Sequence, residues 1–316
     1  MAGLRNIIET LRKSSGDVIL SRIDRMLLQR NEATTEIEPW LHPSAMVPWQ
    51  KGWEHVCPRE LFYTRFAPIQ RWPKKLLHED FTPRFFRIVD NGQWVHRRWQ
   101  AYLIASGMVN PMMGVGWEIP VHDPDIGILG HGDAIVYPEA AGHNVVELEY
   151  YDHGVPKFRS DGSFVYHIRS NGGVWQPKGD PVLVDIKSIK DQYWNLLHTV
   201  PQSEHIVQMT CYLALLNIKK CHLMYECKNT QLVKEIVMRL DLDQWALFRR
   251  ILLHVARSKK QGKLPDRICR SAIGKRAQEC PWVNVCFGFK TYQQLIQIQG
   301  SEHGKEKRTA VKRKVS

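Results

Sequence analysis

The sequence has no apolar run approaching ~18 residues, so no membrane-spanning helix is expected. Its opening, MAGLRNIIETLRKSSG, has no sustained apolar stretch of the kind a secretory leader carries, so no leader is expected. Cysteine is scarce and odd in number, seven in 316 residues, which argues against a disulfide framework and for a reducing compartment. None of the seven forms a C-x2–4-C pair, the usual mark of a structural zinc site. There is no Gly-x4-Gly-Lys-Ser/Thr loop, hence no phosphate-binding loop for a motor. No internal repeat is present. Acidic residues are also short, 32 against 44 Lys and Arg, leaving a net charge of +12.

That excess has two readings, solubility or a polyanionic partner whose phosphates it neutralises. Its distribution bears on the choice. The tail 301–316 holds six basic residues and two acids, whereas the stretch 59–100 holds nine basic residues and four acids inside a segment expected to fold. Composition is otherwise ordinary, 43% hydrophobic and 24% charged, which excludes a disordered or fibrous chain. A chain of this length buries a full core unaided. A metal would therefore serve function or tie down one subregion.

Apolar spacing predicts two short helices in the first ~30 residues, followed by an irregular, Pro- and Trp-rich stretch to residue 56. A helix is predicted over 92–107. Strands are predicted at 115–121, 127–137, 144–151, 163–169 and 181–189, with Asn171-Gly172-Gly173 read as a turn between the last two. A helix at 203–217, strands at 220–227 and 232–240, and a long helix over 241–260 starting near Asp241 or Asp243 complete the order. Strands interspersed with helices predict an α/β fold, a mixed central β-sheet flanked by helices. The tail 299–316 is basic and reads as disordered.

Four segments could carry chemistry. In PVLVDIKSIK the strand period puts Leu183, Asp185, Lys187 and Ile189 on one face. A carboxylate and an ammonium on an otherwise apolar strand are costly to bury unless paired or metal-bound; an edge-strand salt bridge is the other reading. In GHGDAIV, Asp133 is either a turn residue or a metal carboxylate beside glycines that permit close approach. His96 lies on the predicted helix, where a packed or exposed surface histidine is the plain reading. Gln208 and Tyr212, at i and i+4, share a helix face.

In combination, Gly92-x-x-x-His96, Gly130-x-x-Asp133, Asp185-x-Lys187 and Gln208-x-x-x-Tyr212 occur in the order of the RecB-type branch of the PD-(D/E)XK nuclease superfamily, which the chain resembles over about 57–287. Cys57, in Cys57-Pro58-Arg59-x-x-x-Tyr63, with Cys269, Cys280 and Cys286 further resembles the iron–sulfur subgroup of that branch, which includes CRISPR-associated adaptation exonucleases and their phage relatives. The C-terminal spacing here is C-x10-C-x5-C, where the subgroup commonly has C-x2-C-x5-C, and the long gap between Asp133 and Asp185 is expected to hold an inserted hairpin, 144–169.

The resemblance implies a restriction-endonuclease-like core over 57–298, preceded by a helical and irregular region, 1–56, and ending in a cysteine-bearing region. It implies a metal-dependent DNA exonuclease acting on single-stranded or end-containing DNA in a bacterial or phage-infected cytoplasm. Asp133, Asp185, the Ile186 carbonyl and His96 would bind Mg²⁺ or Mn²⁺. Lys187 would orient water or stabilise the transition state, and Gln208 and Tyr212 would position the substrate phosphate or the lysine. Glu118 is either an outer acid or a solvent-facing residue. Cys57, Cys269, Cys280 and Cys286 would hold a 4Fe-4S cluster, with structural Zn²⁺ as the alternative. Arg59, Arg65, Arg71, Lys74 and Lys75, interleaved with Phe62, Tyr63, Phe66 and Trp72, are expected to track and stack single-stranded DNA. The competing readings are a non-catalytic nucleic-acid-binding scaffold and a subunit of a recombination, helicase or CRISPR adaptation complex. Cys211, Cys221 and Cys227 read as core residues.

Overall fold

The fold is described from a computed structural model; the described residues are 23, 41–43, 56–66, 83–114, 116–152, 154, 157, 159, 165–288, 291, 293 and 294. The predicted helices before residue 31, the basic positions Arg71, Lys74 and Lys75, and the tail lie outside them. The chain divides into two compact units, Met1–Glu38 with Gln70–Gln93, and Pro39–Ile69 with Trp94–Ser316. Of the first, only residue 23 and the opening turns of one helix are described; everything below concerns the second.

Its centre is a mixed four-stranded sheet in the order β3 (Ala134–Val136), β6 (Val182–Ile189), β7 (Lys220–Cys227), β8 (Val233–Arg239). The β3–β6 and β7–β8 pairs are antiparallel and β6–β7 is parallel. A parallel pair needs a crossover, which α3 (Asp191–Trp194) and α4 (Ser203–Leu215) supply. The centre of β6 reads as a nearly unbroken buried run, as a strand covered on both faces must. On one face Val182, Val184 and Ile186 pack with Ala134, Val136 and the apolar residues Val95, Leu103 and Ile104 of α2 (Pro83–Ala105). Each fully buried side chain of this size contributes about 1.5–3 kcal/mol. On the other, Lys187 reaches α4. Helix α5 (Leu242–Lys260) begins where expected, with the Asp241 side chain accepting from the Gln244 amide at 2.9 Å.

Two antiparallel hairpins stand beside the sheet, β1 (Ile119–Asp123) with β2 (Ile128–Gly132), and β4 (Ala141–Leu148) with β5 (Tyr166–Gln176). Two sequence expectations are corrected here. The run 127–137 is not one strand: β2 stops at Gly132 and β3 starts at Ala134, in different sheets, with Asp133 between them. Asn171-Gly172-Gly173 is not a turn. Strand β5 runs through it, with a bulge at 172–175 opposite the step from Ala141 to His143. Among the described residues no helix is long and apolar enough to cross a membrane.

On the N-terminal side, α1 (Pro58–Phe66) opens with proline at its first position and packs on α5. Near the C-terminal end are the short helices α6 (Lys275–Gln278) and α7 (Val283–Gly288).

Candidate functional site

Asp133 occupies the junction where the chain leaves one sheet for the other, so its backbone is released from strand pairing. Its Oδ1 lies 2.8 Å from His96 Nδ1 on α2, and its Oδ2 accepts from the Ile186 amide at 2.6 Å. An ionised carboxylate only accepts, so Nδ1 carries the proton of this bond. Burial alone would lower the His96 pKa, but the hydrogen bond and charge of Asp133 outweigh it and hold the imidazole above its ordinary value. In an extended strand a residue's N–H and C=O project to the same edge. The Ile186 carbonyl is therefore directed to the edge where Asp133 sits.

Asp185 is 1% exposed. Lys187 Nζ stands 2.7 Å from its Oδ2 as an ion pair, yet that oxygen is buried with no hydrogen-bond donor aligned to it. Burial pushes the Asp185 carboxyl up to about 6, with Lys187 pulling it down and Asp133 pushing it further up. Lys187 Nζ also donates to Gln208 Oε1 at 2.9 Å, and Gln208 Nε2 donates to the Tyr212 hydroxyl at 3.1 Å. The same hydroxyl accepts from the His131 amide at 3.1 Å, which ties α4 to β2. Burial raises the Tyr212 pKa, so it is a neutral hydroxyl in the working range. His96, Asp133, Asp185, Ile186, Lys187, Gln208 and Tyr212 thus cluster around the middle of β6, in two sets of contacts joined by consecutive residues of that strand.

Gly130 has a steric reason. A Cβ added there would lie 2.2 Å from the Tyr212 hydroxyl and 2.9 Å from two ring carbons. Gly130→Ala is expected to cost about 1–3 kcal/mol through overpacking. In a Tyr212→Phe background the cost should fall by about 1 kcal/mol, because the nearest clashing atom is gone. Equal costs in both backgrounds, measured by urea unfolding, would place the strain elsewhere.

Four partners were not named from the sequence, Arg98, Trp99, Gln100 and Glu226. Gln100, one turn after His96, donates to the Asp133 carbonyl at 3.1 Å and accepts from the Gly116 amide at 2.8 Å. Buried Glu226 on β7 accepts from Arg98 and, at 2.6 Å, from Trp99 Nε1. These bonds fix the helix that carries His96. The i, i+4 spacing of His96 and Gln100 was visible; the Glu226 contacts join residues 127 and 128 apart and were not. Glu118 is half-exposed and stands 3.8 Å from His131.

The basic stretch is placed differently from the DNA-tracking expectation. Phe62 and Tyr63 are fully buried and present no stacking face. Arg59 Nε donates to the Pro265 carbonyl at 2.6 Å, and Arg65 donates to the Ile126 carbonyl at 2.9 Å beneath Gly127. Both guanidinium groups hold the fold together.

Cys57, Cys269, Cys280 and Cys286 line a single cavity with Glu60, Tyr63 and Trp282. All seven cysteines are free thiols, and Cys211, Cys221 and Cys227 are buried in the core as expected. Burial pushes Cys280 up to about 12 and raises Cys269 and Cys286, so these thiols are protonated. Protein contacts alone bring the two ends together: Arg276 pairs with Glu60 at 3.2 Å and Trp282 Nε1 donates to Thr64 Oγ1 at 3.2 Å. The Tyr63 hydroxyl, on the cavity wall, is buried without a hydrogen-bond partner. Among the described residues no three His, Cys, Asp or Glu side chains are gathered as a ready-made site for one ion.

No family model matches the chain, and no curated protein matches it. Two solved structures align with the chain at low identity and low TM-score. The crystal structure of SSO0001 has 12% identity and a TM-score of 0.33, covering 77% of this chain and 86% of its own. LHK-Exo, crystallised in complex with dAMP, has 14% identity and a TM-score of 0.35, covering 71% of this chain and 89% of its own.

Proposed function

We propose that the protein is a metal-dependent DNA exonuclease that hydrolyses phosphodiester bonds from a free end. One observation carries the reading: Asp133, beside the start of β3, and Asp185 and Lys187, in the middle of β6, come together, and the Asp185 Oδ2 is buried with no aligned donor. A buried carboxylate is destabilising by several kcal/mol unless a cation answers it, and Lys187 does so only in part.

The donor set fits Mg²⁺ or Mn²⁺. It does so by donor type, two carboxylates, a carbonyl and an imidazole; binding there would require His96 Nδ1 to give up the proton it shares with Asp133 Oδ1. Asp133, Asp185, His96 and the Ile186 carbonyl would hold the ion, and the imidazole tilts preference toward Mn²⁺. The bound ion supplies an acidified water and neutralises phosphoryl charge. Lys187, steadied by Gln208, places a fixed positive charge where negative charge develops in the transition state. Tyr212 holds Gln208, and through it the direction of the lysine. Arg98, Trp99 and Gln100 keep α2 and its histidine in register with the two carboxylates.

The four cavity cysteines fit a 4Fe-4S cluster, with zinc as the alternative. What supports the cluster is the convergence of four free thiols from both ends of the chain on one cavity whose wall bears an unanswered hydroxyl.

The test is digestion of end-labelled single- and double-stranded DNA by anaerobically purified protein with Mn²⁺, Mg²⁺ or EDTA. Metal-dependent release of end nucleotides is expected, with covalently closed circles surviving far longer than linear strands. Equal rates on circles would make the enzyme an endonuclease, and binding without cleavage in either metal would return the scaffold reading.

A further inference from the structure

The cysteine cavity has one polar group that its protein neighbours do not use. Tyr63 is 0% exposed and lines the cavity with the four thiols, and its hydroxyl has no partner. A buried hydroxyl without a partner is destabilising, and phenylalanine would fill the same space without that cost. The neighbours offer no alternative. Trp282 meets the Tyr63 ring at 5.7 Å between centroids but gives its indole N–H to Thr64. The Glu60 carboxylate is engaged by Arg276. Tyr63 shares the cavity lining with Cys57, Cys269, Cys280 and Cys286, which places these sulfurs among its neighbours.

We propose that the Tyr63 hydroxyl donates a hydrogen bond to the iron–sulfur cluster held by Cys57, Cys269, Cys280 and Cys286, at a thiolate or bridging sulfide, and thereby stabilises the reduced cluster. This rests on the cluster reading above. The donor fits because a metal-bound thiolate accepts a hydrogen bond more strongly than a protonated thiol, whose sulfur is a weak acceptor. A hydrogen bond to cluster sulfur favours the more negative, reduced state, so it raises the reduction potential. The hydroxyl stays protonated throughout and no proton is transferred. Tyr63 acts on the cluster and is not a catalytic residue.

The consequence is a reversal of sign. Without the cluster, the hydroxyl is a liability and Tyr63→Phe should melt higher, by about 2–4 °C. With the cluster, the hydroxyl is satisfied and Tyr63→Phe should melt lower than the parent. The experiment compares both proteins in both forms, apo after chelation and loaded after anaerobic reconstitution with iron and sulfide. It reads iron per chain, melting temperature and reduction potential by redox titration of the visible spectrum. The expected result is equal iron, opposite melting orders in the two forms, and a lower potential in the variant. A tenfold shift in the reduction equilibrium, ~59 mV for one electron, is the expected size. The same melting order in both forms, an unchanged potential, or a Tyr63→Phe protein that fails to fold as apoprotein would each overturn the proposal while leaving the cluster standing. A parent protein that takes up no iron would remove the cluster reading itself, before the variant is compared.

Discussion

Lys187→Ala is expected to leave a folded protein that binds DNA and does not cut it. Its ammonium group is largely buried, 2.7 Å from Asp185 Oδ2 and 2.9 Å from Gln208 Oε1. Removing it strips a carboxylate that is 1% exposed of its counter-charge. Stranding a buried charge costs about 3–5 kcal/mol in general. Here the cost is smaller, because burial already holds the Asp185 carboxyl up near 6 and the group takes a proton once Lys187 is gone. The fold survives; the charge that answers the transition state does not. A fall of about 10²–10⁴-fold in cleavage rate is expected. Asp185→Asn should fall as far, by losing a metal ligand while keeping the shape. Cleavage rate, melting temperature and DNA affinity are measured on the same preparations. A rate within a few-fold of the parent in both variants would remove β6 from the chemistry.

The second large effect concerns iron. Cys57→Ser, Cys280→Ser and Cys286→Ser should each lower bound iron from ~4 atoms per chain to a small fraction, bleach the brown colour and reduce soluble yield, because a Cys₄ cluster does not tolerate loss of a thiolate. Cys269→Ser should do the same, since the cavity includes it despite its unusual spacing. Cys211→Ser, in the core and away from the cavity, should leave iron unchanged. A cross-link from Cys57 to Cys286 closes a loop of roughly 230 residues and is worth about 5.5 kcal/mol in the chain-entropy account. The gain here should fall below that, because Arg59, Arg276 and Trp282 already hold the two ends together. Iron is counted by chelator assay on anaerobic protein. Stoichiometric zinc in protein made with ample iron would replace the cluster by a zinc site, and unchanged iron in Cys57→Ser would remove Cys57 from it.

What was legible in the sequence followed local rules. Strand period alone put Asp185 and Lys187 on one face, and they form an ion pair. Strand β7 has the predicted bounds, and α5 starts from the predicted aspartate cap. Helical spacing set Gln208 and Tyr212 one turn apart, and they share a hydrogen bond. What was not legible depended on distant partners. Nothing local to GHGDAIV says that the chain changes sheets at Asp133, because the alternation of apolar residues continues across it. Asn171-Gly172-Gly173 has the composition of a turn, but it lies within β5, where residues 172–175 bulge opposite the single residue 142 of β4. Arg59 and Arg65 looked like free cations because their acceptors are carbonyls 206 and 61 residues away.

The meeting of α1 with the segment after α5 also constrains how the chain is made. Leu61, Phe62 and Tyr63 are fully buried in the finished protein, against partners that include α5 and Trp282. During synthesis those partners do not yet exist. At ~5–20 residues per second, α1 waits roughly 10–40 s for residue 286 to appear. For that interval Leu61, Phe62 and Tyr63 lack these partners on the nascent chain and are available to chaperones or to other nascent chains. The first described helix of this unit to be made is thus among the last to be sealed, and truncation before residue 242 would remove both α5 and Trp282 from it.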